Sequence, residues 1–125
     1  MLNLNKASPK QIKGQEIESL VCQYLQDQGL QLLIRNFRCR LGEMDWIGLD
    51  KDQLMFLEIR FRRNTSFGGG AASVDFRKQQ KLIKTAKFFL RTHPNFTKHS
   101  CRFDVVAVTL KDNTPQIEWI PNAFY

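Results

Sequence analysis

The stretch "EMDWIGLDKDQLMFLEIRFRR", residues 43–63, decides the fold. Two apolar runs flank the polar step Asp50-Lys51-Asp52-Gln53, the pattern of two strands joined by a hairpin turn. With the turn centred between Lys51 and Asp52, Leu49 faces Leu54 and Ile47 faces Phe56. Carried further, the same register sets Asp45 against Glu58 and Glu43 against Arg60. Glu58 and Arg60, two residues apart on one strand, also share a face. The hairpin that matches apolar with apolar thus gathers three acids and one base.

Outward from the hairpin, the chain reads as α-β-β-β-α-β-β. Ser8-Pro9-Lys10-Gln11 has the form of a helix start, with a Ser cap and Pro at the first helical position. Ile17, Leu20, Val21, Tyr24 and Leu25 then recur at helical spacing, and Gly29 is a stop signal. Glu16 sits one turn before Leu20, at the edge of that apolar face. Leu30–Arg35 is a first strand, ahead of Glu43–Leu49 and Leu54–Phe61. A second helix is expected from about Val74 to Thr92, with Leu82, Ile83, Ala86, Phe89 and Leu90 inward and His93-Pro94 ending it. Residues 101–110 (CRFDVVAVTL) and 117–120 (IEWI) are the last strands. This order indicates an α/β domain whose sheet is at least partly antiparallel.

A chain of 125 residues is most simply one domain, residues 1–125. No apolar run approaches the roughly 18 residues a bilayer span needs, and the N-terminus lacks the apolar core of a secretory signal, so a cytoplasmic protein is expected. Three scattered cysteines, Cys22, Cys39 and Cys101, suggest neither a disulfide framework nor a zinc site. Nineteen Lys and Arg against twelve Asp and Glu give a net charge of +7, which favours polyanionic partners, nucleic acid before membrane.

Why Glu43, Asp45 and Glu58 should stand together beside apolar residues has more than one answer. Glu58 with Arg60 alone reads equally as a structural ion pair or an edge-strand solubility device. Glu43 and Asp45 alone read as a solvent-facing strand side. Together, like charges in a low-dielectric setting call for a cation beyond what Arg60 supplies, and hard oxygen ligands suit Mg²⁺ or Mn²⁺. Such an ion would polarise a phosphoryl oxygen and activate water for phosphodiester hydrolysis. Lys78 lies four residues before Leu82, on the inward side of the second helix; it either snorkels or points at the carboxylates or a phosphate. Arg77, Lys81 and Lys84 fall towards solvent, as phosphate-backbone contacts or plain solubility.

Several motifs in order resemble the YraN-like family of small uncharacterised bacterial proteins. They are Gly14-Gln15-Glu16, Cys22-Gln23-Tyr24-Leu25, Arg35-Asn36-Phe37-Arg38, Gly42-Glu43-Met44-Asp45-Trp46-Ile47 and Phe56-Leu57-Glu58-Ile59-Arg60-Phe61-Arg62. Lys78 and Arg102-Phe103-Asp104-Val105-Val106 follow, and the resemblance covers about residues 10–125. That family is similar to the restriction-endonuclease-like superfamily and to Holliday-junction resolvases. The resemblance implies a mixed central sheet flanked by helices, with the acidic motif on a central hairpin.

It further implies Asp45 and Glu58 as Mg²⁺ or Mn²⁺ ligands, with Glu16 joining them and Glu43 as a further ligand or water-positioning group. Arg60 stands where the motif carries lysine. An arginine stays protonated and prefers bidentate pairing, so it stabilises charge but does not serve as a base. The expectation is a metal-dependent nuclease acting on DNA rather than RNA, on branched or damaged structures. Catalytic groups would be Glu43, Asp45, Glu58, Arg60 and Lys78, with Arg62, Arg63, Arg77, Lys81 and Lys84 on the nucleic acid and Gly68–Gly70 as a lid. The alternative is a non-catalytic nucleic-acid-binding protein that keeps the fold and has lost turnover through Arg60. Resolvase-like proteins are often dimers, so a homodimer is a further expectation, although the sequence carries no dimer seam.

Overall fold

The computed structural model describes residues 14–62, 74–112 and 114–124, with the side chains of residues 14, 15 and 62 not among them. Ser8-Pro9, Arg63 and Gly68–Gly70 lie outside the described residues, as does the side chain of Arg62. The elements are α1 (Gly14–Asp27), β1 (Gln31–Cys39), β2 (Gly42–Asp50), β3 (Gln53–Arg62), α2 (Phe76–Thr92), β4 (Cys101–Lys111) and β5 (Thr114–Phe124), with a short 3₁₀ turn at Pro94–Phe96. The result is an α/β fold with two helices and a five-stranded mixed sheet in the order β1-β2-β3-β4-β5. All neighbours are antiparallel except β3 and β4, which run parallel and are bridged by the α2 crossover.

Strand β3 is buried on both sides, which accounts for its unbroken apolar run. Met55 and Leu57 join Ile17, Val21 and Leu25 of α1 on one face. Leu54 and Phe56 join Leu82, Ala86 and Phe89 of α2 on the other. Phe56 meets Phe89 edge-on at 6.0 Å and stacks on Phe103 at 5.5 Å. Truncation of such a ring to alanine typically costs about 3–5 kcal/mol.

The helix ends follow local chemistry. Gly29 at φ +90° closes α1, letting Leu30 N–H reach Leu25 O at 3.1 Å. Helix α2 is capped by Asp75, whose carboxylate accepts the Lys78 N–H at 2.8 Å. The 3.6-residue period placed this start one turn-residue early, at Val74, because periodicity marks the buried face and not the cap.

Asp104 ties the far edge of the sheet to its centre and was not singled out by the sequence. It is fully buried on β4 and accepts from Arg102 Nε at 2.9 Å, Trp119 Nε1 at 2.9 Å and Asn122 N–H at 2.9 Å. Arg102 in turn reaches Asp50 at 3.0 Å and Gln53 at 3.0 Å. The network therefore stitches β5 through β4 to the β2–β3 turn. The signal was present as a lone acid inside the apolar run FDVVAV.

Asp104→Ala strands the half-buried Arg102 guanidinium and two donors on β5. We expect a loss of about 3–5 kcal/mol of folding stability, measured by urea unfolding, with Asp104→Asn intermediate. Loss within 1 kcal/mol would show that the network is dispensable.

Candidate functional site

The hairpin register is as the sequence implies from Asp50↔Gln53 to Trp46↔Leu57, and there it ends. The cause lies on β1. Asn36 adopts a left-handed φ of 56° in mid-strand, so Ile34 and Phe37 both pack on the α2 side although three residues apart. Opposite them, Ile47 and Met44 do the same. Asp45 falls at this break in alternation. Its carboxylate, and not a neighbouring strand, accepts the Ile59 N–H at 2.7 Å.

Glu58 lies beside it, buried at 7 % exposure, on the α2 face of β3. Removal from water raises the Glu58 carboxyl to about 7, the negative charge of Asp45 adds to the rise, and Lys78 opposes it. Burial also pushes Asp45 up, against the Ile59 N–H and a hydrogen bond from Glu58. Burial and the mutual repulsion of the two carboxyls thus both favour retention of a proton by the pair. Lys78 reaches Glu58 at 3.4 Å from the first turn of α2. Of the two sequence readings of Lys78, pointing at the carboxylates is the one realised.

One expectation is corrected. Glu43 does not face Arg60: it pairs with Arg38 across β1–β2 and forms an exposed ion pair with it at 3.2 Å. Beyond Trp46 strand β2 turns away from β3, so the three acids are not gathered by the hairpin. On α1, the charge of Glu18 acts on Asp45. Glu18 is held by Arg35 at 3.4 Å and Asn36 at 3.3 Å, while Arg35 also lies over the Trp46 ring at 5.1 Å. Glu16 carries a buried Oε2 with no hydrogen-bond partner among the described residues.

Arg60 is half-buried and engages no carboxylate among the described residues. Arg77, Lys81 and Lys84 are exposed on α2. The three cysteines are free thiols. Among the described residues no three His, Cys, Asp or Glu side chains converge as a metal site. Asp45 and Glu58 are nevertheless a fitting pair for a hard divalent cation, since Mg²⁺ is commonly held by one or two carboxylates with water and phosphate completing its shell. Among the described residues no helix is long and apolar enough to cross a membrane.

The profile of the uncharacterised protein family UPF0102 matches residues 17–108. A UPF0102 protein of Stutzerimonas stutzeri is 51% identical over 117 residues, covering 94% of this chain and 98% of its own. Those of Pseudomonas putida and Psychromonas ingrahamii are 45% and 47% identical, covering 94% and 90% of this chain and 96% and 88% of their own. The chain belongs to this family.

Because the folded protein holds a proton on Glu58 up to about pH 7, whereas an unfolded glutamate releases it near 4.5, this group stabilises the fold below about pH 4.5. That contribution is lost as pH rises through about 7. Glu58→Gln, which keeps the hydrogen bond to Asp45 without titrating, should be more stable than the natural protein at pH 8 and close to it at pH 5. Urea midpoints at the two pH values test this; parallel curves would refute the shared proton.

Proposed function

We propose that this UPF0102 member is a metal-dependent nuclease hydrolysing phosphodiester bonds in DNA, with branched or damaged DNA as its substrate, on a restriction-endonuclease-like frame. The observation that carries the reading is the Asp45–Glu58 pair: two carboxylates pressed together where two core strands part, with a lysine at 3.4 Å. Buried structural acids normally come with a full set of donors, as Asp104 does. The Asp45–Glu58 pair instead shares a proton, the condition that a divalent cation relieves.

In this reading Asp45 and Glu58 hold Mg²⁺ or Mn²⁺, and the bound ion supplies Lewis-acid polarisation of the phosphoryl group and an activated water. The chain's own groups position the rest. The Ile59 N–H fixes Asp45 so that one oxygen remains for other duty. Lys78 orients Glu58 and presents an ammonium towards a phosphate. Arg60, on the same face of β3, stabilises the charge that develops on the phosphoryl oxygens. Glu18 brings a further acid beside Asp45, Glu16 offers a buried oxygen with no hydrogen-bond partner among the described residues, and Glu43 stands apart on Arg38. Arg77, Lys81 and Lys84, exposed on α2, contact the backbone of a bound strand, and Arg62 and Arg63, outside the described side chains, are assigned the same role from the sequence.

A second reading is favoured by one feature. Arg60 replaces the motif lysine and does not act as a base, and no third ligand converges among the described residues. A non-catalytic nucleic-acid-binding protein that retains this frame accommodates both.

Calorimetry with Mn²⁺ and Mg²⁺ is expected to show binding to the natural protein that Asp45→Asn abolishes, with a matching metal-dependent rise in Tm at pH 8. Cleavage of four-way-junction, nicked and linear DNA should fall at least about hundredfold in Asp45→Asn. An absence of metal binding to the natural protein rules out the nuclease. Cleavage by Arg60→Lys alone, with none by the natural protein, selects the binding protein.

A further inference from the structure

Reaching to Lys78, the turn between β1 and β2 and the start of α2 line an open cavity of about 370 Å³. Arg38 comes from the end of β1 and Arg40 from the turn, Lys78 and Lys81 from the helix, and Leu41 and Leu82 form its apolar lining. We propose that this cavity binds the terminal phosphomonoester of a nucleic-acid strand. The inference rests on the nucleic-acid reading above and specifies which part of the strand is recognised.

Its charge is suited to a dianion. The one carboxylate lining it, Glu43, is already engaged by Arg38 at 3.2 Å. Lys78 divides its charge between the cavity and Glu58. Arg40 and Lys81 engage no carboxylate among the described residues, so an entering anion meets two uncommitted cations and two shared ones. A phosphomonoester carries about −1.5 to −2 at pH 7, against −1 for each internal diester, and so gains more from this concentration of charge.

Shape points the same way. The volume lies at the lower end of the about 300–1,000 Å³ range of small-ligand sites, which suits one terminal nucleotide and not a continuous duplex backbone. The apolar lining offers a surface to its sugar or base, with Leu82 buried against the core at 1 % exposure.

The cavity is also pre-formed. Gly42, at φ 153°, lets the turn approach α2 so closely that a Cβ there would lie 2.7 Å from Thr85 Oγ1. Thr85 is itself fixed, donating to Lys81 O at 2.9 Å. The two walls therefore meet without a side chain between them, and the cations are held at the edge of a rigid contact. Since Lys78 lines the cavity and touches Glu58, a strand end seated here enters the carboxylate site within a single side chain's reach.

Fluorescence anisotropy with single-stranded 12-mers ending in 5′-phosphate, 3′-phosphate or hydroxyls tests the proposal, in EDTA so that no cleavage intervenes. At least one phosphorylated end should bind about tenfold tighter than the hydroxyl-ended strand, and which end does so assigns the polarity. Arg40→Ala with Lys81→Ala should erase that preference, while Lys87→Ala, an exposed cation elsewhere on α2, should leave it. Equal affinity for all three ends, or a preference surviving in the double variant, overturns the pocket and leaves the nucleic-acid reading intact. Titration with inorganic phosphate and thymidine monophosphate, followed by ³¹P line broadening, separates the other case. Binding of these that the double variant loses, with no strand bound at all, leaves a phosphate site in the cavity but overturns the strand-end proposal together with the nucleic-acid reading. Binding of neither overturns both.

Discussion

Strand β3 must bury both of its faces, and most of the molecule is arranged to meet that demand. With β2 on one side, β4 on the other, α1 above and α2 below, Leu54–Leu57 has no water anywhere around it. Such a strand tolerates a charge only where its surroundings open. That happens at Glu58, one residue past the last β2 pairing at Leu57. The site is thus a product of the core's own boundary: one residue earlier a carboxylate would face sealed hydrocarbon, and farther along it would titrate as an ordinary surface acid.

The opening coincides with a left-handed Asn36 in β1, where the alternation of β1 and β2 breaks while Met44 and Ile47 remain in the core. Asp45 then substitutes its side chain for the strand partner that Ile59 has lost. A backbone donor is satisfied and a carboxylate is immobilised by one bond, so local folding and site construction are the same event.

Much of this could be read from the residues. The order of helices and strands, and the hairpin register as far as Trp46↔Leu57, followed from apolar matching, since any slip would send Ile47 or Phe56 to the wrong face. Helical phase put Lys78 on the inward side of α2, but its contact with Glu58 came only with the structure. What did not follow were the features that depend on a dihedral angle or on long-range packing. The strand reading could not know that Asn36 would be left-handed, so it extended the ladder to Glu43 and Arg60. Asp104 was passed over because an acid among valines is informative only once its three donors are known to arrive from Arg102 and from β5.

The two buried acidic centres sharpen each other's meaning. Asp104 lies at the same depth as Glu58 or deeper, yet its guanidinium and two N–H partners compensate its charge. The fold therefore has the means to neutralise a buried carboxylate, and uses them on β4. Between β2 and β3 it holds two carboxylates against one lysine that is itself partly open to solvent. Arg60, two residues away on the same strand face, engages neither of them. An arginine placed to form a bidentate pair with Glu58 would have quenched the site as Arg102 quenches Asp104. Leaving Arg60 uncommitted and assigning the contact to a lysine on a separate element keeps the pair electrostatically unfinished. On the proposed reading, that unfinished state is what a divalent cation would relieve.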